Sequence, residues 1–135
     1  MAERGAGAVV GWMAAGASLR AYGQATLGAD AVGRFYLPPP RNAHFFTASP
    51  IECGYLASLY PTFILETPNA FYIPPPDMTT GVCAAGTIPV YRLYNNRPDT
   101  DHRFITDRAI RTQMVAQGYI AEGYGPDKVI MCAPQ

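Results

Sequence analysis

The sequence has 135 residues, the size of a single domain. Ten acidic residues balance ten basic ones, which argues against nucleic acid as the main partner because phosphate binding needs a clear excess of Lys and Arg. No run of about 18 apolar residues is present, so we expect no membrane span, and an aromatic content of 12% excludes a disordered chain.

The N-terminal segment could be mistaken for a signal peptide. Residues 6–19 are small and weakly apolar, but Glu3 and several glycines argue against a leader. We interpret residues 1–31 as a truncated copy of the unit described below, with residues 2–4 as the remains of a helix and a strand at Ser18–Tyr22. This copy lacks its first two strands, and two explanations are open: the chain is cut from a longer protein, or a neighbouring chain fills the exposed edge.

Residues 32–76 predict strand, loop, strand, helix, strand, strand. The helix begins with the capping box Ser49-Pro50-Ile51-Glu52 and ends before Pro61. We expect Tyr55, Leu56 and Leu59 to point inward, and two short strands to follow, at Phe63–Leu65 and Ala70–Ile73. Residues 77–89 are interpreted as a linker.

Residues 90–135 follow the same plan. Val90–Tyr94 is aromatic and β-branched, typical of a strand, and a second strand is expected at His102–Thr106. Asp107 can cap a helix from Arg108 to Gln117, and Gly118 is a natural stop. Two last strands are expected at Tyr119–Glu122 and Val129–Cys132, joined by a turn with Gly123, Gly125 and Pro126.

An internal repeat relates these two segments. A shift of 58 residues places Arg34 on Arg92 and His44 on His102, and these are the two histidines of the chain. The shift also superimposes Val32 on Val90, Tyr36 on Tyr94 and Phe46 on Phe104. We therefore predict an α+β fold of internally duplicated, pseudo-symmetric units, each with short antiparallel strands and one small helix, together forming one domain. The alternative is an all-β arrangement resembling a β-trefoil.

The repeated residues resemble a family of repeats in secreted and surface-attached bacterial proteins, marked by a His-Phe-Tyr-Thr signature. The resemblance rests on Arg34-Phe35-Tyr36 with His44-Phe45-Phe46-Thr47 and on their counterparts Arg92-Leu93-Tyr94 with His102-Arg103-Phe104-Ile105-Thr106. It covers about residues 11–134 and implies an extracellular or periplasmic module of largely unknown function that is suspected of binding glycans or surfaces. Such repeats often carry a Cys at the position of Gly33, so the resemblance implies that Cys53 has no local partner.

The cysteines leave two interpretations open. Cys83 and Cys132 both follow short apolar runs, and we expect a disulfide between them that joins the chain end to its middle. An odd count leaves a third thiol free or paired elsewhere. The other interpretation is three buried thiols in a reducing compartment.

Catalytic chemistry has little support in the sequence. Neither His44 nor His102 is spaced with further ligands as a metal site requires, and no nucleophile motif or Gly-rich phosphate loop is present. We expect the two histidines to be structural, together with Arg34 and Arg92. We therefore predict no catalytic residues, no metal site and no cofactor.

Binding is the more plausible function. Sugar recognition needs an aromatic surface and a few fixed polar groups, and the last unit carries several Tyr residues beside a polar loop. Ordinary sheet packing and turn chemistry would explain the same residues. The predicted ligand-binding set is Tyr94, Asn95, Arg97, Asp99, Asp101, His102 and Tyr124.

Three functions follow, in decreasing order of support. The first is a non-catalytic secreted module that binds carbohydrate or a cell-surface polymer and is part of, or accessory to, a larger extracellular protein. The second is an assembly subunit that pairs with another chain, or with its own copies, through the N-terminal edge. The third is an enzyme.

Overall fold

A computed structural model describes residues 9–14 and 17–135. In these residues the chain forms nine strands and two helices, in an α+β arrangement. The elements in chain order are β1 (Val9–Ala14), β2 (Ala17–Tyr22), β3 (Asp30–Leu37), β4 (Ala43–Thr47), α1 (Pro50–Leu59), β5 (Ile64–Ile73), β6 (Thr87–Tyr94), β7 (His102–Ile105), α2 (Arg108–Ala116), β8 (Ile120–Glu122) and β9 (Met131–Pro134).

The strands form two antiparallel sheets. The first has the order β1-β2-β5-β3-β4, and in the second β6 pairs with β7 and β8 along one half and with β9 along the other. Over residues 9–14 and 17–135 neither sheet closes into a barrel, so the alternative prediction of a β-trefoil is wrong.

The main core lies between the sheets. It is built from the inward-facing residues of strands in both, and its members include Val32, Phe46, Ile73, Val90, Phe104 and Met131. A second cluster around Phe35, Leu37 and Phe45 lies beneath α1. Alternate residues of a strand point to opposite faces. Val32 of β3 therefore contributes to the main core, whereas Phe35 and Leu37 contribute to the second cluster. The pairing of β3 with β5 is irregular between these residues.

Helix α1 departs from the prediction. Ser49 caps it and accepts a hydrogen bond from the Glu52 amide, but the Glu52 side chain turns away to an ion pair rather than completing the capping box. Leu56 packs against the second cluster, whereas Tyr55 is 60% exposed and Leu59 is 51% exposed. The expectation that all three point inward is wrong for Tyr55 and Leu59, because Glu52 and Leu56 determine which side of α1 faces the sheet.

The remaining elements differ from expectation mainly in their bounds. A single ten-residue strand, β5, replaces the two strands expected between residues 63 and 73. Strand β6 begins at Thr87, inside the predicted linker, and the last strand lies at Met131–Pro134 rather than Val129–Cys132. Helix α2 has the expected Asp107 cap, and Gly118 follows it at a φ of 102°.

Candidate functional site

A buried arginine organises the centre of the molecule. Arg92 on β6 donates to both carboxylate oxygens of Glu52, from Nη1 at 2.9 Å and Nη2 at 3.0 Å, and from Nε to Glu122 Oε1 at 2.8 Å. Its Nη1 also donates to the Phe46 carbonyl at 3.2 Å, and its guanidinium carbon lies 4.5 Å from the centre of the Phe45 ring. The side chain is 4% exposed, so this cation is removed from water and depends on its two carboxylate partners.

The two carboxylates are held ionised by these contacts. Burial works to raise the pKa of Glu52, but the hydrogen bonds and charge of Arg92 outweigh it and bring the pKa below its ordinary value. Burial likewise opposes ionisation of Glu122, while a hydrogen bond from His102 and the charge of Arg92 lower its pKa overall.

His102 lies beside this cluster. Its Nε2 is 3.3 Å from Glu122 Oε1, and its side chain is 10% exposed. The ring stacks on Tyr94, with centres 5.2 Å apart, and meets the Phe45 ring edge-on at 4.6 Å. Among the described residues its Nδ1 is buried without a hydrogen-bond partner. The surroundings of this imidazole are therefore mostly packing contacts.

The same three residue types meet a second time in the other sheet. Arg34 Nε donates to Glu66 Oε1 at 2.8 Å, and His44 Nε2 lies 3.3 Å from that oxygen. Tyr36 lies against His44, with ring centres 5.4 Å apart. The distances match those in the Arg92 cluster, but here the His44 side chain is 48% exposed.

Matching strand registers produce the two clusters. Arg34 pairs with Phe46 and Tyr36 with His44 between β3 and β4. Between β6 and β7, Arg92 pairs with Phe104 and Tyr94 with His102. In both sheets the Arg and the His therefore lie on neighbouring strands with the same offset, and a Glu from the strand on the other side of the Arg strand completes the set.

A groove of about 690 Å³ lies between the two sheets, and the exposed cluster forms part of its wall. The first sheet and its loops contribute Arg34, His44 and Glu66, and the second contributes Asp99, Asp101 and His102. The full lining is Arg34, Arg41, Asn42, Ala43, His44, Phe46, Glu66, Ala70, Phe71, Asp99, Asp101, His102 and Phe104. The groove thus draws on both duplicated segments rather than on the last one alone.

The loop between β6 and β7 is organised by Asn95. This side chain is buried, and its amide donates to Asp99 Oδ1 at 3.2 Å. Its carbonyl oxygen accepts from the backbone amides of Arg97 and Asp101 at 3.3 and 3.1 Å. Asn95 therefore positions the loop acids through contacts within the protein.

The structure brings only part of the predicted ligand set together. Asp99, Asp101 and His102 line the groove, and Tyr94 supports His102 by stacking. The Arg97 side chain lies 3.7 Å from Asp99 on the loop surface. Tyr124 lines a different cavity, of about 380 Å³, beside Pro75, Pro76 and Met78.

Sequence reasoning missed the carboxylates. Glu66 lines the groove, and Glu52 and Glu122 hold Arg92, yet the shift of 58 residues pairs Glu66 with Tyr124 and Glu122 with Ile64. The pairing of β3 with β5 is irregular around Arg34, whereas β6 and β8 pair evenly at Arg92. This irregularity displaces one Glu by two positions along the chain, so a fixed repeat distance does not detect it.

The cysteines are placed as expected. Cys83 and Cys132 form a disulfide that closes 49 residues, which is compatible with an extracellular or otherwise oxidising compartment. Cys53 is free and lies against Gly33, where an added Cβ would be 3.0 Å from its Sγ. Burial, together with the charge of Glu52, raises the pKa of the Cys53 thiol.

Two features are absent from the described part of the chain. Residues 9–14 and 17–135 contain no group of three or more His, Cys, Asp or Glu side chains arranged to hold a metal ion. Over the same residues, no helix has the length and apolar character needed to cross a membrane.

Fold and site together define an α+β module with two open antiparallel sheets, a buried Arg–Glu–His cluster and an exposed cluster of the same composition beside a groove. A family model described as a domain of unknown function (DUF5648) matches residues 43–127. The match covers more than half of the chain and includes both histidines, so the chain belongs to this family. No curated protein and no solved structure matches the chain significantly.

Proposed function

We propose that this chain is a non-catalytic module that binds carbohydrate, as a free glycan or a cell-surface polymer, in the groove between the two sheets. The observation that carries the proposal is the duplication of one polar cluster in two environments. The Arg92 cluster is buried and joins the two sheets with α1, whereas the Arg34 cluster is exposed at the groove.

The exposed cluster adds little to stability. Solvent-exposed ion pairs contribute about 0–1 kcal/mol, and Arg34 and Glu66 are both substantially exposed. The cluster does fix the orientation of three planar polar groups, because Glu66 accepts from Arg34 and contacts His44 at the same oxygen. Pre-oriented donors and acceptors are what a site for sugar hydroxyls requires, since less entropy is lost when a ligand binds.

The second sheet supplies acceptors to the same groove. Asp99 and Asp101 extend from a loop that Asn95 holds in place. Carboxylates accept hydrogen bonds only, which complements the donors of Arg34 and Arg41 from the first sheet. A groove with fixed donors and acceptors suits a polyhydroxylated ligand, in which each hydroxyl both donates and accepts.

The carboxylates of the buried Arg92 cluster do not offer a general acid. A general acid at neutral pH needs a raised carboxyl pKa, but the pKa values of Glu52 and Glu122 are lowered and both side chains are in ion pairs with Arg92. We further propose that the two clusters mark duplicated units and that the module acts outside the cytoplasm. The matching registers support the first point, and the Cys83–Cys132 disulfide supports the second.

The test is a glycan array, followed by calorimetry with the best ligand, on the wild-type chain and two charge-matched variants. Glu66→Gln removes the negative charge that Arg34 and His44 contact and replaces one carboxylate oxygen by a donor amide, and it should weaken binding at least tenfold. Asp127→Asn breaks the exposed Arg108–Asp127 pair, which has the same 2.8 Å length but lies outside the groove lining, and should leave affinity unchanged. Equal affinities in all three proteins, or no binding to any glycan, would refute the proposal.

A second candidate is an assembly subunit. Strand β1 lies at the edge of the first sheet and pairs only with β2 among the described strands. An edge strand offers unpaired backbone groups to another chain. The expected result is an oligomer that persists without glycan and is lost when a proline replaces Val10, which lies within that edge strand.

A further inference from the structure

Helix α1 presents an apolar surface to solvent that the monomer does not use. Ile51 is 83% exposed, and Tyr55, Leu59, Tyr60 and Leu65 are each at least 40% exposed. These five side chains, which lie on α1, directly after it or on β5, expose roughly 500 Å² of largely apolar surface, given that a large aromatic side chain offers about 150–250 Å². The largest apolar patch on a typical monomer is about 300–600 Å² and often functional.

Helix α2 shows that this is not a general property of helices in the chain. It holds the corresponding place after β7 and also exposes Ile110 and Val115, but its exposed positions include the polar residues Arg108, Thr112 and Gln113. Between residues 50 and 65 the sequence contains a single charged residue, Glu52, and that side chain is committed to Arg92. The outer face of α1 therefore carries no charge of its own.

A hollow lies next to these protruding side chains. It has a volume of about 290 Å³, and its lining includes Cys53, Gly54, Ala57, Leu65 and Pro68. The protrusions Ile51 and Tyr55 and the hollow thus belong to the same helix and its neighbouring strand. A surface that carries both protruding side chains and a recess can bind its own copy about a two-fold axis, because each copy can then place its protrusion in the recess of the other.

Gly54 supports a close approach by another helix. A glycine inside a helix costs about 1 kcal/mol relative to alanine. At Gly54 the monomer offers no reason for this cost, because φ is not positive and a Cβ added there would meet no atom within 4 Å. Ser58 lies four residues further on the same side of the helix, so two small residues form a shallow path between Ile51, Tyr55 and Leu59.

We propose that the face formed by Ile51, Gly54, Tyr55, Ser58 and Leu59, here called the α1 face, binds a second copy of this chain in a two-fold symmetric dimer. The absence of charge favours a self-contact, since two identical faces then bring no like charges together. The five large side chains expose roughly 500 Å², less than the roughly 800 Å² per partner of a standard interface, so the expected dimer is a weak one. This surface is distinct from the β1 edge, because β1 and β4, the strand that precedes α1, lie at opposite edges of the sheet.

Sedimentation equilibrium of the 135-residue chain, without any glycan, tests the proposal. The expected result is a concentration-dependent monomer–dimer equilibrium. Tyr55→Glu should weaken the association at least tenfold, since it places a charge at the centre of the α1 face. Ile110→Glu is the matched control on α2, where Ile110 is also exposed, and should leave the association unchanged.

Cross-linking tests the symmetry independently. Ser58 lies within the α1 face, so Ser58→Cys should give a disulfide-linked dimer under mild oxidation, whereas Gln113→Cys on α2 should not. The wild-type chain, with Cys53 half-buried, provides the background. A chain that stays monomeric up to millimolar concentration, or a dimer that Tyr55→Glu and Ile110→Glu affect equally, would overturn the proposal. A Ser58→Cys variant that cross-links no more than Gln113→Cys would do the same.

Discussion

Replacing Arg92 and Arg34 by methionine, one at a time, compares the stability that the buried ion cluster contributes with the stability that the exposed one contributes. Arg92→Met removes a cation that is 4% exposed and leaves Glu52 and Glu122 without their main partner. Breaking a buried pair by removing one partner costs about 3–5 kcal/mol. Arg34→Met breaks an exposed contact with Glu66, for which about 0–1 kcal/mol is expected.

The assay is thermal and urea unfolding followed by far-ultraviolet circular dichroism, with the disulfide kept oxidised. For a chain of this size, a loss of 3–5 kcal/mol corresponds to a fall in Tm of about 10–20 °C. Arg34→Met should lower Tm by no more than a few degrees.

A triple variant checks the cause of the loss. Arg92→Met combined with Glu52→Gln and Glu122→Gln removes the uncompensated charges and should recover part of the lost stability, because a neutral replacement of a buried ion cluster is often tolerated. Equal destabilisation by Arg92→Met and Arg34→Met would refute the view that burial, rather than the contacts themselves, distinguishes the two clusters.

Three other predictions concern pH and the cysteines. Folding lowers the pKa values of Glu52 and Glu122. Their contribution to the free energy of unfolding should therefore be complete above the ordinary Glu pKa of 4.5 and should be lost as pH falls through the lower folded-state values. In an acid titration, the stability of the triple variant should depend less on pH than that of the wild-type chain. Gly33→Cys should form a second disulfide with Cys53, since a Cβ added at Gly33 lies 3.0 Å from the Cys53 Sγ. This disulfide should stabilise the chain by roughly 3 kcal/mol on the loop-entropy model. A peptide map that shows two free thiols, or a stability no greater than that of Gly33→Ser, would contradict this prediction. Reducing Cys83–Cys132, which closes 49 residues, should cost up to about 4 kcal/mol, and a Cys83→Ser/Cys132→Ser variant should show an equal loss that added reductant does not deepen.

Local patterns in the sequence were enough to predict the α+β class, most strands and the caps of both helices. Strands can be predicted because their apolar and polar residues alternate according to which face is buried. Helix ends can be predicted because Asp107 and Gly118 act on the backbone next to them. The shift of 58 residues placed Arg34 and His44 in correspondence with Arg92 and His102, and both pairs lie at the same strand register.

Tertiary structure decided which carboxylates meet these arginines and which sides of the helices are buried. Glu52 lies 40 residues from Arg92 along the chain, and Glu122 lies 30 residues away; such contacts depend on how the two sheets pack, which no local pattern records. Because Glu52 is drawn to Arg92, α1 turns Tyr55 and Leu59 to solvent although the sequence suggests a buried helix. The irregular pairing at Arg34 likewise assigned the groove carboxylate to Glu66, since a strand register is fixed by pairing across the sheet and not by distance along the chain.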